Sequence, residues 1–417
     1  MLAGFGKIEI TPPLGVELAG YGYYLGRRAE RVEDPLFARA AALEENGETF
    51  LIVSCDCLGL SREIVGAVEA GLSQAAGIPA DHVMIVSIHT HTGPAMKYHG
   101  GCGQVDEAYT AGVADKILSA CHLALADKKK VEQLCFVCQP LEKPIAYNRA
   151  FAGNPVDGKA RFFVLRRQGG LPMVLSSYAC HAVCQGNVRF ISADYPGRVC
   201  ALLDGAPALS MYLNGACGDI DPIRCNMEER PKRLKEFAET VAAALEKGEG
   251  NALPPTVSGG EIKASLRLAP LSREDIHALA DRANQRETEP PGGGRVARAW
   301  EEEMIRNYEP DRREEAFCAR YVALGGVPII ALPFETYTLT GMLIRQETGD
   351  ERGLVLGCAG EMMGYLPTMD DYGRHSYASQ DAFFLYRRIP TLPGEAERLG
   401  HEIGQKLAAA MKREKQP

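Results

Sequence analysis

Residues 36–60 read LFARAAALEENGETFLIVSCDCLGL, two apolar runs on either side of Glu45-Asn46-Gly47. Asn-Gly tolerates the left-handed backbone of a tight turn, so the stretch is expected to fold as a β-hairpin. Arg62 to Ala76 then spaces its apolar residues as a helix does. His82 to Ile88 is a short run rich in Val and Ile, the pattern of a buried strand. Hairpin, helix and strand in that order make an α/β chain.

The rhythm continues outward. A helix is expected over Asp106 to Ala126, and strands near Gln133 to Gln139, Ala160 to Arg167 and Pro172 to Ala179. A helix should follow Tyr195-Pro196-Gly197, and a strand over Leu209 to Leu213 should run into the loop NGACGDIDP. After Gly248 the chain is Pro- and Gly-rich to Gly260. Pro290-Pro291-Gly292-Gly293-Gly294 separates two charged helical stretches, Ser272 to Glu287 and Arg295 to Arg306. Residues 270–325 are therefore expected to leave the core as a helical excursion or lid, within one domain spanning 1–417. The chain re-enters at Val327 to Phe334 and finishes in an amphipathic helix, Glu395 to Lys412.

Composition narrows the function. The 417 residues are 46% hydrophobic and 24% charged with a formal net charge of -8, an ordinary globular balance. Lys128-Lys129-Lys130 is the only basic cluster, so the chain is not built to neutralise phosphates and nucleic acid is not an expected partner. The start lacks a basic region followed by an apolar core, and no run reaches the ~18 apolar residues of a bilayer span. A cytoplasmic protein without stable membrane insertion is expected. Thirteen cysteines, an odd number in a large chain, point to reduced thiols. Cys55 and Cys57 form a CxC and Cys135 and Cys138 a CxxC, but they do not make the two well-formed pairs of a structural zinc site.

The chemistry gathers at Ile85–Pro94, IVSIHTHTGP. Alternation along a strand turns His89 and His91 to one face, while Gly93-Pro94 excludes an HxHxDH pattern. Alone, the pair is open to two ligands, one ligand with one acid/base, or polar strand-end residues. His181, in SSYACHAVCQGN, and Glu335, after VPIIALPF, also stand at the ends of apolar runs. Three such residues at separate strand ends suit a catalytic metal that leaves one position open for water.

Eight motifs in order extend the pattern: GFGKIEITPP, ARAAALE, IHTHTGP, YNRA, YACH with ISADYPG, NGACGDIDP, LPFET and GYLPTMDDYGRHSYA. Together they resemble the neutral/alkaline, non-lysosomal ceramidase family over about residues 4–390. The resemblance implies an α/β fold, a neutral-ceramidase-like catalytic domain with mixed β-sheets flanked by helices. The chain is expected to be a short member without the family's C-terminal domain. The resemblance further implies one catalytic Zn2+ held by His89, His181, Glu335 and Tyr365. It gives His91 a proton-transfer role, Arg149 the polarisation of the scissile carbonyl, and Tyr377 a place lining the site. Where the family carries a GDVSP-like motif this chain reads Gly218-Asp-Ile-Asp-Pro222, so Asp221 replaces a serine. Its carboxylate is open to a second divalent cation, a substrate amine or a turn. Arg374 points to an anionic substrate group.

The expected function is zinc-dependent hydrolysis of a C–N amide bond in a small, soluble N-acyl compound, acting on bonds other than peptide bonds. The alternatives are a metal-dependent esterase or lactonase, and a non-catalytic metal- or ligand-binding protein. The expected partner is a small-molecule substrate, and a homo-oligomer is compatible with the sequence.

Overall fold

A computed structural model describes residues 1–23, 25–205, 208–285 and 292–414. The hairpin forms where expected, with Phe37–Glu45 antiparallel to Glu48–Cys55 and positive φ at both Asn46 (53°) and Gly47 (84°). Alternation along these strands sorts their side chains between two cores. Ala38, Ala40 and Ala42 with Leu51, Val53 and Cys55 face one side, while Ala41, Leu43, Phe50 and Ile52 face the other.

The larger sheet has nine strands. Its order is Leu209–Asn214, Met173–Tyr178, Lys159–Arg167, Lys129–Pro140, Leu2–Glu9, Phe37–Glu45, Glu48–Cys55 and Val83–Ser87, with Asn251–Leu253 added on Lys129–Pro140. It is mixed, since its two end pairs are parallel and the pairs between them antiparallel. Four strands, Val257–Arg267, Glu314–Leu324, Val327–Ala331 and Leu354–Leu356, form the second sheet. Val322, Leu324, Val327 and Ile329 of that sheet share the inner core with Phe50 and Ile52. Ile262, Leu266, Phe317 and Ile330 face away, toward Leu399, Ile403 and Leu407 of the terminal helix Glu395–Glu414. On the outer face of the first sheet lie the helices Arg62–Ala76, Val113–Ala126, Asp194–Gly205 and Arg230–Lys247. The result is four layers, helix, sheet, sheet and helix.

The GFG of residues 4–6 is a packing signal. A Cβ on Gly4 or Gly6 would lie 2.0 Å from the carbonyl oxygens of Ala124 and Ala120 respectively, so the helix Val113–Ala126 rests directly on this strand's backbone.

Several boundaries differ from the sequence reading. The helix expected over 106–126 is broken at Ala111-Gly112 into Glu107–Thr110 and Val113–Ala126. The next helix begins at Asp194 rather than after Tyr195-Pro196-Gly197. Pro196 fits its first turn, where no backbone N–H is needed. The segment 270–325 is helical only to Arg306, as Arg273–Gln285 and Gly293–Arg306 packed about Trp300. Glu314–Leu324 instead pairs along its whole length with Val257–Arg267. That partner opens on Val-Ser-Gly-Gly, which reads as loop. Glu287, Pro290 and Pro291 lie outside the described residues. The thirteen cysteines are free, with Cys55 and Cys57 buried and Cys135 and Cys138 half-buried. Among the described residues, no helix is long and apolar enough to cross a membrane.

Candidate metal centre

Both sheets deliver side chains to one place. From the larger sheet, Val83–Ser87 leads to His89 and His91, and Met173–Tyr178 leads to His181. From the smaller, Val327–Ala331 leads to Glu335, whose short strand Glu335–Thr336 pairs in parallel with Tyr365–Leu366. Glu335 stands directly opposite Tyr365 in that register. A bridge between Thr90 and Ala182 ties the two histidine loops together.

The strand ends before His89, so pleat alternation does not orient the histidine pair. His89 takes a left-handed φ of 63°, and that turn brings the two rings to 5.0 Å, edge to face. The His181 ring centroid lies 5.0 Å from His89 and 5.6 Å from His91. One ligand atom from each of the three fits within 4.8 Å of the others, a grouping able to hold a metal ion, and all three side chains are buried.

Glu335 is the hub. Its Oε2 lies 2.9 Å from His181 Nε2 and 3.3 Å from His89 Nε2. Ligands about 2.0–2.1 Å from a tetrahedral ion stand roughly 3.3 Å apart, so these spacings fit a shared ion. Each imidazole is oriented from behind: His89 Nδ1 lies 2.8 Å from the Leu58 carbonyl, and His181 Nδ1 lies 2.6 Å from that of Cys217. Backbone acceptors on Nδ1 fix the tautomer that leaves Nε2 free to ligate. Buried and without hydrogen-bond partners are His89 Nε2 and both ring nitrogens of His91. Unsatisfied buried nitrogens are costly, and a cation among them answers the deficit. The donor set therefore fits a metal.

Electrostatics divide the histidines. Burial opposes protonation of His89, but the Glu335 carboxylate outweighs it and holds the imidazole above its usual basicity. His91 is pushed well below the ordinary range by burial first, then by His89 and His181. Burial raises Glu335, yet His89 and His181 hold its carboxyl well below the usual carboxylate range.

His91 also differs in what it faces. A cavity of about 510 Å³ is lined by His91, Arg149, Asp221, Tyr365 and Tyr377, whereas His89, His181 and Glu335 lie behind that wall. Arg149 donates from Nη2 to Tyr365 Oη at 2.6 Å and to the Gly218 carbonyl at 3.0 Å, and its Nη1 faces Asp221 Oδ1 at 3.4 Å. Burial opposes the charge on this guanidinium, and the nearby Asp221 and Glu335 carboxylates help to hold it. Asp221 is likewise already answered by a cation, which weighs against a second metal on its carboxylate. Tyr377 is 45% exposed.

Arg374 is not brought to the site. It is exposed, pairs with Asp370 at 3.0 Å and lies over the Phe151 ring. Among the described residues, neither helix of the 273–306 pair lines the cavity. A larger cavity, about 610 Å³, shares Arg230 with this one but contains none of the candidate ligands. Size does not make it the reaction site.

Tyr386 and Tyr21, beside the candidate ligands, escaped sequence reasoning. Tyr386 donates its hydroxyl to Glu335 Oε1, and Tyr21 packs edge-on to His91 with ring centroids 5.1 Å apart. Tyr386 sits in the helix Ala382–Tyr386 and Tyr21 in a glycine-rich loop, so neither carries the strand-end signal that marked the others.

Among solved structures, the chain is similar to neutral ceramidase from Pseudomonas aeruginosa. The TM-score is 0.75 at 15% identity, covering 99% of this chain and 74% of that one. It is similar also to a ceramidase complexed with C2, with a TM-score of 0.75 at 14% identity over 99% and 75% of the two chains. The fold is thus ceramidase-like. No protein-family model matches the chain, and no curated protein matches it by sequence.

Proposed function

We propose that this chain is a zinc-dependent hydrolase cleaving the C–N amide bond of a small N-acyl compound. One observation carries the reading: His89 and His181 converge through Nε2 on a single Glu335 oxygen, behind a cavity wall formed by His91 and Arg149. The ceramidase-like fold supports amide hydrolysis as the reaction class.

His89, His181, Glu335 and Tyr365 would hold the ion, a nitrogen and oxygen set suited to zinc. When bound, zinc supplies Lewis-acid polarisation of a carbonyl and acidifies water. His91 faces the cavity, where a ring nitrogen can take a proton and return it to the leaving amine. Arg149, held by Asp221 and the Gly218 carbonyl, presents fixed positive charge where an oxyanion develops. Tyr377 lines the same cavity and bounds the substrate.

The test couples elemental analysis with a screen of N-acyl compounds. Stoichiometric zinc and chelator-sensitive release of an amine are expected. Faster turnover of matched esters than amides would reassign the reaction to an esterase or lactonase. Zinc that raises thermal stability while every substrate stays intact would make the site a non-catalytic one.

A further inference from the structure

Four arginines, Arg149, Arg224, Arg230 and Arg233, line the cavity against one carboxylate, Asp221, in a chain whose net charge is -8. Two of them are accounted for. Arg149 faces Asp221, and Arg233 pairs with Glu236 at 3.3 Å. The other two have no carboxylate partner among the described residues. Arg224 donates from Nε to the Tyr147 hydroxyl at 2.7 Å, and Arg230 from Nη1 to the Gln185 carbonyl at 3.0 Å. Neutral acceptors orient these guanidinium groups and leave their charge unanswered.

Arg230 is also seated by the backbone. Gly186 has a φ of 68°, and a Cβ there would lie 2.3 Å from Arg230 Nη1 and 2.5 Å from its Cζ. Only a residue without a side chain lets the guanidinium lie on this turn. A cation fixed in this way is pre-organised to receive an oxyanion through charge-assisted hydrogen bonds.

Resting on the hydrolase reading above, we propose that the amide substrate carries a carboxylate, bound by Arg230 with Arg224 in the cavity that His91 faces. This transfers anion recognition from Arg374, which lies outside the cavity, to a pair the sequence motifs did not mark. An uncharged lipid amide leaves both arginines unanswered, whereas an N-acyl amino acid satisfies them.

The probes are N-hexanoylglycine and its neutral analogue N-hexanoylglycinamide, presented to the zinc-loaded protein. The readout is the ratio of kcat/KM for the pair and, by calorimetry, the ratio of their affinities. Wild type is expected to favour the carboxylate by at least ~10-fold, and Arg230→Gln to remove most of that preference. Arg230→Lys should restore part of it. Gly186→Ala, which displaces the guanidinium without removing it, should behave like Arg230→Gln. Arg224 is exposed, so Arg224→Gln reports even if changes at Arg230 or Gly186 prevent folding, and it should lower the ratio too. Absence of turnover with the affinity ratio intact would sink the hydrolase reading and uphold this one. A wild-type ratio near one, no measurable binding of either probe at millimolar concentration, or a ratio unmoved by the arginine variants would overturn the proposal.

Discussion

Glu335 Oε2 and His181 Nε2 stand 2.9 Å apart, both side chains closed off from solvent and each reached from a different sheet. With His181 Nδ1 committed to a backbone carbonyl, this contact sits where an ion would take its ligands. His181→Ala and Glu335→Gln are expected to weaken zinc by more than the ~10–100-fold typical of losing an outer hydrogen-bond partner. Competition against a calibrated chelator measures it. Full zinc retention in both variants would refute the ligand assignment.

His91 should separate from them. Because it lines the cavity while His89, His181 and Glu335 do not, His91→Ala is expected to keep its zinc while kcat falls by ~10²–10⁴-fold. Zinc content and single-turnover rate, taken on the same preparation, decide between roles. Loss of zinc comparable with His181→Ala would make His91 a ligand.

The structure also predicts a pH dependence of stability away from the site. Burial lowers the Lys97 ammonium to about 8, against the opposing pull of Glu361. Between that value and the unfolded lysine's ~10.4 the unfolded chain binds more protons, so stability gains with rising pH there. The gain is about 1.4 kcal/mol per pH unit at most. Lys97→Met should be the more stable protein at pH 7, with its advantage shrinking as pH rises from 8 to 10. Urea titrations at each pH give the difference, and a constant difference would show that Lys97 is not desolvated.

Gly6→Ala tests the contact between strand and helix. Its Cβ would fall 2.0 Å from the Ala120 carbonyl oxygen, so the helix Val113–Ala126 must move off the sheet. A loss of about 1–3 kcal/mol is expected from such overpacking, read as a lower denaturation midpoint. An unchanged midpoint would mean that the helix does not rest on this strand.

How far the sequence carried depended on where each signal lay. Asn46-Gly47, the helix from Arg62 and the strand into Ser87 declared themselves because turn chemistry and periodicity are local. His181 and Glu335 could be singled out because each follows an apolar strand. The reason for grouping His89 with His91 was nevertheless wrong in detail, since a left-handed residue and not the pleat joins their rings. Glu314–Leu324 was hidden because its pairing partner carries glycines and lies across a long helical insertion. Tyr386, Tyr21, Arg224 and Arg230 could not be found, since loops and helix ends place them and no repeat distance marks such positions. Arg374 shows the converse, a residue inside a recognisable motif that tertiary packing turns outward.

The division of candidate ligands between the two sheets has a consequence for assembly. His89 and His181 arrive on the first sheet, while Glu335 and Tyr365 arrive only after the chain has built most of the second. An ion at their junction acts as a clasp, and its affinity reports how firmly the two halves are docked. Substitutions in the inner core between the sheets, such as Phe50→Ala or Ile329→Ala, should therefore loosen zinc without touching any ligand.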